Sequence, residues 1–363
     1  MRIKKLSTTH FRNLVHEPVL FSRGVNLFVG DNGQGKTNIL EALSLFKIGR
    51  SFRTSRDNDL INFEETFCRA EVEAEYASGE DETFSLSIER RGDKRVRLSD
   101  KELPKLSELI GLYPCVLFGP QDLALSSGAP NERRRFLDMT GSMTDRLYLD
   151  DLKSYRRVLT QRNALFKTGG SRAARRVWDE ELVARGCALI GKRIGLVDSL
   201  ARHLDHHVDE LDLGYAIDVR YESDLVENIP DGVTREEHFT ARLVDLEHEE
   251  SRRKTTLIGP HRDDIKIVLD GRDVRRFGSQ GQRRLISVLL RLTELSYMEE
   301  KLAEPCVLLL DDLFSELDEQ VSERLRRVLE DGHQIFVTSP MMMEWGSDGR
   351  TKVFRVAEGK ITE

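Results

Sequence analysis

Cysteine is scarce in this sequence, and what there is does not cluster. Cys68, Cys115, Cys187 and Cys306 lie far apart with no Cys-x-x-Cys spacing. That pattern argues against a zinc site or a disulfide framework and leaves buried free thiols as the expectation. Long apolar runs are missing too. None approaches the roughly 18 to 20 residues needed to span a bilayer. Met1-Arg-Ile-Lys-Lys-Leu passes straight into alternating, strand-like sequence, with no apolar leader, so the expected setting is the cytoplasm, with no membrane contact. Internal repeats and low-complexity tails are absent. A positive surplus is absent as well: 56 Lys and Arg stand against 63 Asp and Glu, a formal net charge of −7. That total does not favour nucleic-acid binding, although local patches decide the matter.

What is present suffices for two or three lobes in 363 residues. Arg2 to Leu6 and Val25 to Val29 read as strands. Asn38 to Phe46 reads as a helix, with Ile39, Leu40, Leu43 and Phe46 on one face. Short alternating runs fill 67–97, and 113–120 reads as a buried strand. From Asn131 the periodicity turns helical. Two amphipathic runs broken at Lys167 to Ser171 predict an αα-hairpin, a short arm over about 145–207. Asp209 to Glu250 reads as irregular and acidic. After it come a strand in "DDIKIVLDG", a helix from Gln280 to about Lys301, a buried strand in "CVLLLDD", a helix from Glu319 to Leu329 and a last buried strand, "QIFVTS". Strands and helices at both ends enclose a helical middle, so the two ends are expected to share one α/β lobe.

Gly30-Asp31-Asn32-Gly33-Gln34-Gly35-Lys36-Thr37 fits G-x-x-x-x-G-K-[ST] in full. The chemistry explains the spacing. Glycines let backbone N–H groups turn inward around phosphates, and the helix that follows offers its N-terminus to negative charge. Lys36 supplies a cation for the outer phosphates, and Thr37 a hydroxyl for Mg²⁺. The implied cofactor is ATP with Mg²⁺. Far along the chain, four apolar residues lead to Asp311 and Asp312 at a strand end. In phosphoryl-transfer sites such a pair holds the metal through water (Asp311) and orients the attacking water (Asp312). Some 30 residues before it, Ser279 and Gly281 open a helix in "FGSQGQR", a geometry suited to phosphate.

These three motifs, in this order, resemble the SMC and RecF branch of the ABC ATPases. Within it the sequence is similar to RecF-like recombination mediators over nearly its whole length. The residues that carry the likeness are "HFRNL" (10–14), "GDNGQGKTNILEAL" (30–43), "GRSFRT" (49–54), "GAPNERRRFLD" (128–138), "GPHRDD" (259–264), "FGSQGQRR" (277–284) and "DDLFSELD" (311–318). The resemblance implies an ABC-type head. Lobe I (1–118 and 300–363) would hold a mixed sheet around the phosphate loop, and a helical lobe II (119–299) would carry the arm and the signature at 277–283. It also implies a homodimer formed with ATP, in which Ser279 and Gly281 complete the partner's site. DNA binding is implied too, with RecA loading alongside RecO and RecR, SOS induction and slow DNA-stimulated hydrolysis. Lys36, Asp311 and Asp312 would be catalytic, and Arg12 a nucleotide contact. Ser315 to Asp318 occupies the D-loop position. Most ABC ATPases carry Glu where Asp312 stands, one methylene longer, which fits slow turnover. The Q-loop position falls on either Gln121 or Asp122, and the γ-phosphate sensor has no clear bearer, His333 being a poor substitute.

Two basic runs are candidates for DNA phosphates. Lys47, Arg50, Arg53 and Arg56 form one; the other runs from Lys153 to Arg176 without an acid and includes Arg157, Arg172, Arg175 and Arg176. The rival functions are another SMC-like chromosome-associated ATPase, and a DNA-binding protein whose nucleotide site does not hydrolyse.

Overall fold

Along 68–74, Cys68, Ala70, Val72 and Ala74 alternate with Arg69, Glu71 and Glu73, and the apolar set is buried in a strand. That period of two lets a sheet bury one face and wet the other. Near Leu309 the period vanishes, because all five residues of the Val307–Asp311 strand are buried. These two patterns mark the two large sheets of a computed structural model that describes every residue except 170–171, 331, 344 and 346–350. The side chains of Arg172, Ser315 and Glu316 also fall outside the description.

The chain divides into two units, Met1–Asp122 with Glu294–Glu363, and Leu123–Thr293. The first opens with β1 (Arg2–Thr9), β2 (Val19–Leu20), β3 (Val25–Val29) and α1 (Lys36–Ile48). It continues through β4 (Phe67–Glu75), β5 (Asp81–Glu89), β6 (Lys94–Leu98), β7 (Lys101–Glu102) and β8 (Cys115–Phe118). The second unit holds α2 (Leu123–Ser127), α3 (Pro130–Thr144), α4 (Arg146–Thr168) and α5 (Arg172–Glu210). After these come β9 (Ile217–Glu222), α6 (Asp224–Glu227), α7 (Arg235–Arg253), β10 (Asp264–Leu269), β11 (Arg272–Asp273) and α8 (Val274–Phe277). Helix α9 (Gln280–Leu302) leads back to the first unit, which ends with β12 (Val307–Asp311), α10 (Glu319–Glu330), β13 (Gln334–Ser339), β14 (Lys352–Ala357) and β15 (Lys360–Thr362).

In the first unit, an antiparallel sheet runs β2-β1-β4-β5-β6-β7. A mostly parallel one runs β15-β14-β3-β13-β12-β8, with only β15 reversed. Helix α1 supplies Ile39, Leu40, Leu43 and Phe46 to a core shared with both sheets. Stacked and edge-on Phe21, Phe28, Phe336 and Phe354 close one end. All four cysteines are buried and free, and burial pushes Cys68, Cys115 and Cys187 up to about 12. Among the described residues no helix is long and apolar enough to cross a membrane.

The second unit carries the helical pair α4 and α5. Asp145 caps α4 at its start, and Gly169, at φ 74°, ends it. Here "GPHRDD" has a structural role. Asp264 accepts two bonds from Arg133 at 2.8 Å, Pro260 O accepts from Arg193, and His261 meets the Tyr155 hydroxyl at 2.6 Å. Two expectations need correction. The stretch read as irregular holds β9 and most of the 19-residue α7, opened by a capping box in which Thr234 and Glu237 bond reciprocally. "QIFVTS" is not the last strand either, since β14 and β15 follow, and β14 pairs in parallel with β3.

Arg162 is buried in this unit between Glu250 and Asp179, both 2.7 Å away, with the Thr256 hydroxyl at 2.8 Å. Removing one partner of such a pair strands a charge out of water, at a cost of about 3–5 kcal/mol. Arg162→Ala should therefore lower the urea midpoint of unfolding by that much stability, with the denaturant slope unchanged.

Candidate functional site

Strand β3 ends at Val29, and the chain turns through Gly30 to Gly35 before α1 begins at Lys36. Glycine is demanded here by space and by angle. A Cβ on Gly30 would lie 2.2 Å from Val356 O, and Gly35 sits at φ 115° with Asn13 Oδ1 2.9 Å from where a Cβ would go. Because Gly35 is also the N-cap, α1 has no capping side chain of its own, and among the described residues none accepts from its first-turn N–H groups. An uncapped helix start favours an anion. The Lys36 ammonium folds back over the loop and donates to Gly30 O at 2.5 Å and Asp31 O at 2.8 Å. Burial lowers its pKa, against the pull of Asp312, Asp31 and Asp311.

The parallel pairing of β12 with β13 sets Asp311 opposite Thr338. Asp311 Oδ1 accepts from Thr37 Oγ1 at 2.9 Å and from Thr338 Oγ1 at 2.8 Å. Thr338 Oγ1 in turn accepts from the Asp312 N–H at 3.1 Å. Burial raises the Asp311 pKa, and the bonds from Thr338 and Thr37 oppose that rise. Asp312 turns out of the strand at φ 51°, and its side chain is exposed. Motifs 274 residues apart thus meet at one hydroxyl–carboxylate contact.

Sequence reasoning missed Glu41. It is fully buried on α1 and accepts from Arg12 Nε and Nη2 at 2.9 and 2.8 Å, and from Ser51 Oγ at 2.5 Å. Arg53 reaches it at 3.4 Å and donates to Asn38 Oδ1 at 2.6 Å. Arg12 is therefore anchored beside the first turns of α1. The available signal was an acid inside the apolar run Ile39-Leu40-Glu41-Ala42-Leu43. A second missed brace is the β14–β15 turn: Gln34 accepts from Glu358 N–H at 2.7 Å and from Gly359 N–H at 2.9 Å. Asp122 is buried and accepts from Gly119 N–H at 2.8 Å, whereas Gln121 stands exposed. His333 pairs with Glu299 at 3.1 Å, at the end of β13 opposite Thr338.

In the second unit, Ser279 and Gln282 close a reciprocal cap at the start of α9. Ser279 Oγ accepts from Gln282 N–H at 3.2 Å, and Gln282 Oε1 accepts from Ser279 N–H at 2.9 Å. Ser279, Gln280 and Gly281 are exposed.

The basic runs look different in space. Lys47 is buried and ion-paired with fully buried Glu294 at 3.1 Å, so the reading of Lys47 as a DNA contact is withdrawn. Arg50 and Arg56 are exposed, while Arg53 is held as described. The run from Lys153 to Arg176 gains acids from elsewhere. Arg156 pairs with Asp138, Arg175 with Glu247 over the Phe166 ring, and Arg176 with Glu180. Arg157 is exposed, and the Arg172 side chain lies outside the described residues, as do those of Ser315 and Glu316.

The RecF/RecN/SMC N terminal domain family matches residues 2–362. A DNA replication and repair protein RecF from Halothermothrix orenii is 38% identical, covering 100% of this chain and 99% of that protein. Its counterpart from Ligilactobacillus salivarius is 35% identical over 100% and 98%. The chain belongs to the RecF family. A solved structure of the recombination mediator protein RecF with ATP, in the RecFOR pathway, superposes at a TM-score of 0.91. It is 30% identical, and the match covers 99% of this chain and 97% of that one. An Smc head bound to a ScpA winged-helix domain, 16% identical at a TM-score of 0.56 over 100% and 97% of the two chains, shares the fold alone. The RecF-family chain thus has the mixed α/β ABC-type head expected from its motifs.

A triphosphate with a divalent cation fits these residues. The glycine cradle leaves no room for a Cβ at Gly30, α1 starts uncapped, and a hydroxyl and a carboxylate converge where a metal would meet oxygen ligands. Mg²⁺ characteristically takes one or two protein oxygens and completes its shell with phosphate and water. Nucleotide-free, the charge on Asp311 opposes folding, because its pKa is raised. Asp311→Asn should therefore raise the thermal midpoint of the nucleotide-free protein. The gain should be absent at low pH, where the unfolded-state carboxyl is protonated, and should grow as pH rises through the folded-state pKa. Melting curves across pH 3 to 8 check this.

Proposed function

We propose that this chain is an ATP-dependent, DNA-binding dimer of recombinational repair and replication. The observation that carries the reading is the meeting of Thr37 with buried Asp311, beside Lys36 folded over the phosphate loop. Gly30 to Thr37 would wrap the phosphates with backbone N–H groups. Lys36 would exchange its two carbonyl partners for phosphate oxygens. Thr37 and Asp311 would hold Mg²⁺, Asp311 through water. When bound, the metal and triphosphate supply the electrophilic phosphorus and its charge neutralisation. Asp312, exposed at the strand end, would orient water at that site, and its short reach favours slow turnover. Ser279 and Gly281 would act on the nucleotide of a second copy. ATP would then shift the chain toward a dimer by linkage across the interface. RecR and RecO are the partners that the family suggests, for loading RecA at gaps.

A non-hydrolysing nucleotide site is the alternative, and it has one observation in its favour, Asp in place of Glu at 312. Light scattering with and without ATP, together with phosphate release on gapped DNA, tests both. The expected result is an ATP-driven dimer whose turnover rises with DNA. Lys36→Ala should abolish ATP binding and dimerisation together. Asp312→Asn should keep both while losing turnover. A monomer unmoved by ATP would overturn the dimer reading, and a dimer with no turnover on any DNA would favour the non-hydrolysing site.

A further inference from the structure

The exposed face of the small sheet β11-β10-β9 carries an arrangement that the fold does not require. Arg220 and Lys266 are direct cross-strand partners, and both point outward. Like charges directly opposite one another destabilise a sheet. Local acids relieve this only partly. Arg220 leans on Asp218 of its own strand, and Lys266 stands 3.9 Å from Glu222. The turn of α8 adds Arg275 and Arg276 to the same place. Arg275 reaches Asp264 only at 4.0 Å, and Arg276 makes no ion pair among the described residues.

Together these four cations line a groove of about 500 Å³, within the roughly 300–1,000 Å³ of sites that hold small ligands. Its two acids are Glu222 and Asp273, and the Asp273 carboxylate is already engaged by Arg275 N–H. The lining thus sets four cations against two acids, and of the acids that reach in from its edge Asp218 meets Arg220 whereas Asp264 is already bound twice by Arg133. Phe277 lines it as well and is 68% exposed, a large ring with little to pack against. Arg283 ties this turn to the start of α9 by donating to Val274 O and, at 2.9 Å, to Arg275 O. The basic stretch Val274 to Arg284 announces only part of this site. Its cations come from two strands and a turn spread over 220–276.

We propose that this groove binds single-stranded DNA, its phosphates against Arg220, Lys266, Arg275 and Arg276 and one base stacked on Phe277. Cations alone would suit any phosphate backbone. The ring makes the difference, because an unpaired base presents its face to an aromatic side chain, whereas the bases of a duplex are stacked on one another. The inference rests on the DNA-binding reading above and gives it a place. It also sets the strand two residues from Ser279, so that the turn holding DNA and the turn assigned to the partner's ATP are one segment.

The test is fluorescence anisotropy of labelled single-stranded and hairpin-duplex DNA on the full chain with ATP, against salt. The variants are Lys266→Ala/Arg276→Ala, Phe277→Ala and, as a milder second change, Phe277→Leu. Two phosphate contacts on a single strand contribute a salt slope of about 1.4, or roughly 25-fold in affinity at 0.1 M salt. The double variant should lose that much affinity and that much slope. Phe277→Ala should lose about 5- to 150-fold on the single strand, with duplex binding unchanged. Phe277→Leu should show a smaller loss in the same direction. All side chains changed are exposed, and unchanged thermal midpoints with retained ATP-dependent dimerisation would show intact variants.

Wild-type affinity and slope kept by both changes would overturn the groove as a DNA site. Equal losses on duplex and single strand after Phe277→Ala would overturn the single-strand assignment. Loss of ATP-dependent dimerisation with DNA binding intact would give the groove to a second copy of the chain. A wild-type protein that binds neither DNA would sink the underlying DNA-binding reading itself, which separates that failure from the others.

Discussion

The first unit turns on one buried carboxylate. Asp311 ends a fully apolar strand, and burial raises the cost of its charge. Its two hydroxyl donors come from remote parts of the chain, Thr37 from the loop after β3 and Thr338 from β13. For both to arrive, three parallel strands must lie side by side in register: Asp311 opposite Thr338, and Ser339 opposite Val29. That register gathers the carboxyl ends of β3, β12 and β13 at one edge, the place where parallel α/β sheets bind ligands. A purely structural role would be met more cheaply by an apolar residue. The proposed Mg²⁺ would give this carboxylate its reason.

The surrounding braces serve the same geometry. Glu41 fixes Arg12 and Arg53 against the first turns of α1, and Asn13 links them to the loop by accepting from Asn38 and donating to Gln34 O. From the other side, the β14–β15 turn holds Gln34 by two backbone donors. A phosphate loop presents N–H groups to a ligand and so cannot satisfy them within itself. Its shape must be imposed from outside. Here the N-terminal loop and the last hairpin impose it, which gives the two ends of the chain one reason to share a unit.

Much of this was legible in the sequence, and the rest was not for physical reasons. The phosphate loop was legible because its requirements are local: glycines at fixed spacing, then Lys and Thr. Strand β12 was legible because five buried residues in a row leave no other pattern. Glu41 was hidden because its partners Arg12 and Ser51 are distant in sequence, and a single acid on a helix usually faces water. Strand β15 was hidden because it is only three residues long, and β14 because it mixes Lys and Arg with apolar residues and owes its place to pairing with β3. Charge runs were the hardest to read. Between Lys153 and Arg176 no acid is present in sequence, yet Asp138, Glu247 and Glu180 reach its arginines in space. A run reports charge along the chain, and binding depends on charge across a surface.

Ser279 raises a different question, since two readings of it compete only in appearance. Its hydroxyl oxygen caps α9 by accepting from Gln282 N–H, and Gln282 returns the bond. A plain cap and a phosphate ligand look like alternatives for one side chain. A hydroxyl, however, carries one donor and two acceptor positions. Capping uses an acceptor. The proton is left to donate outward, and a phosphate oxygen is an acceptor. The cap also fixes the rotamer of Ser279 and lines up the first N–H groups of α9, whose positive end favours the same charge. Glycine at 281 keeps that first turn bare, with nothing within 4 Å of where a Cβ would stand. In the proposed contact the capping box would hold a flexible hydroxyl ready at low entropic cost, so "Ser-x-x-Gln" in this place serves the cap and leaves a phosphate contact open.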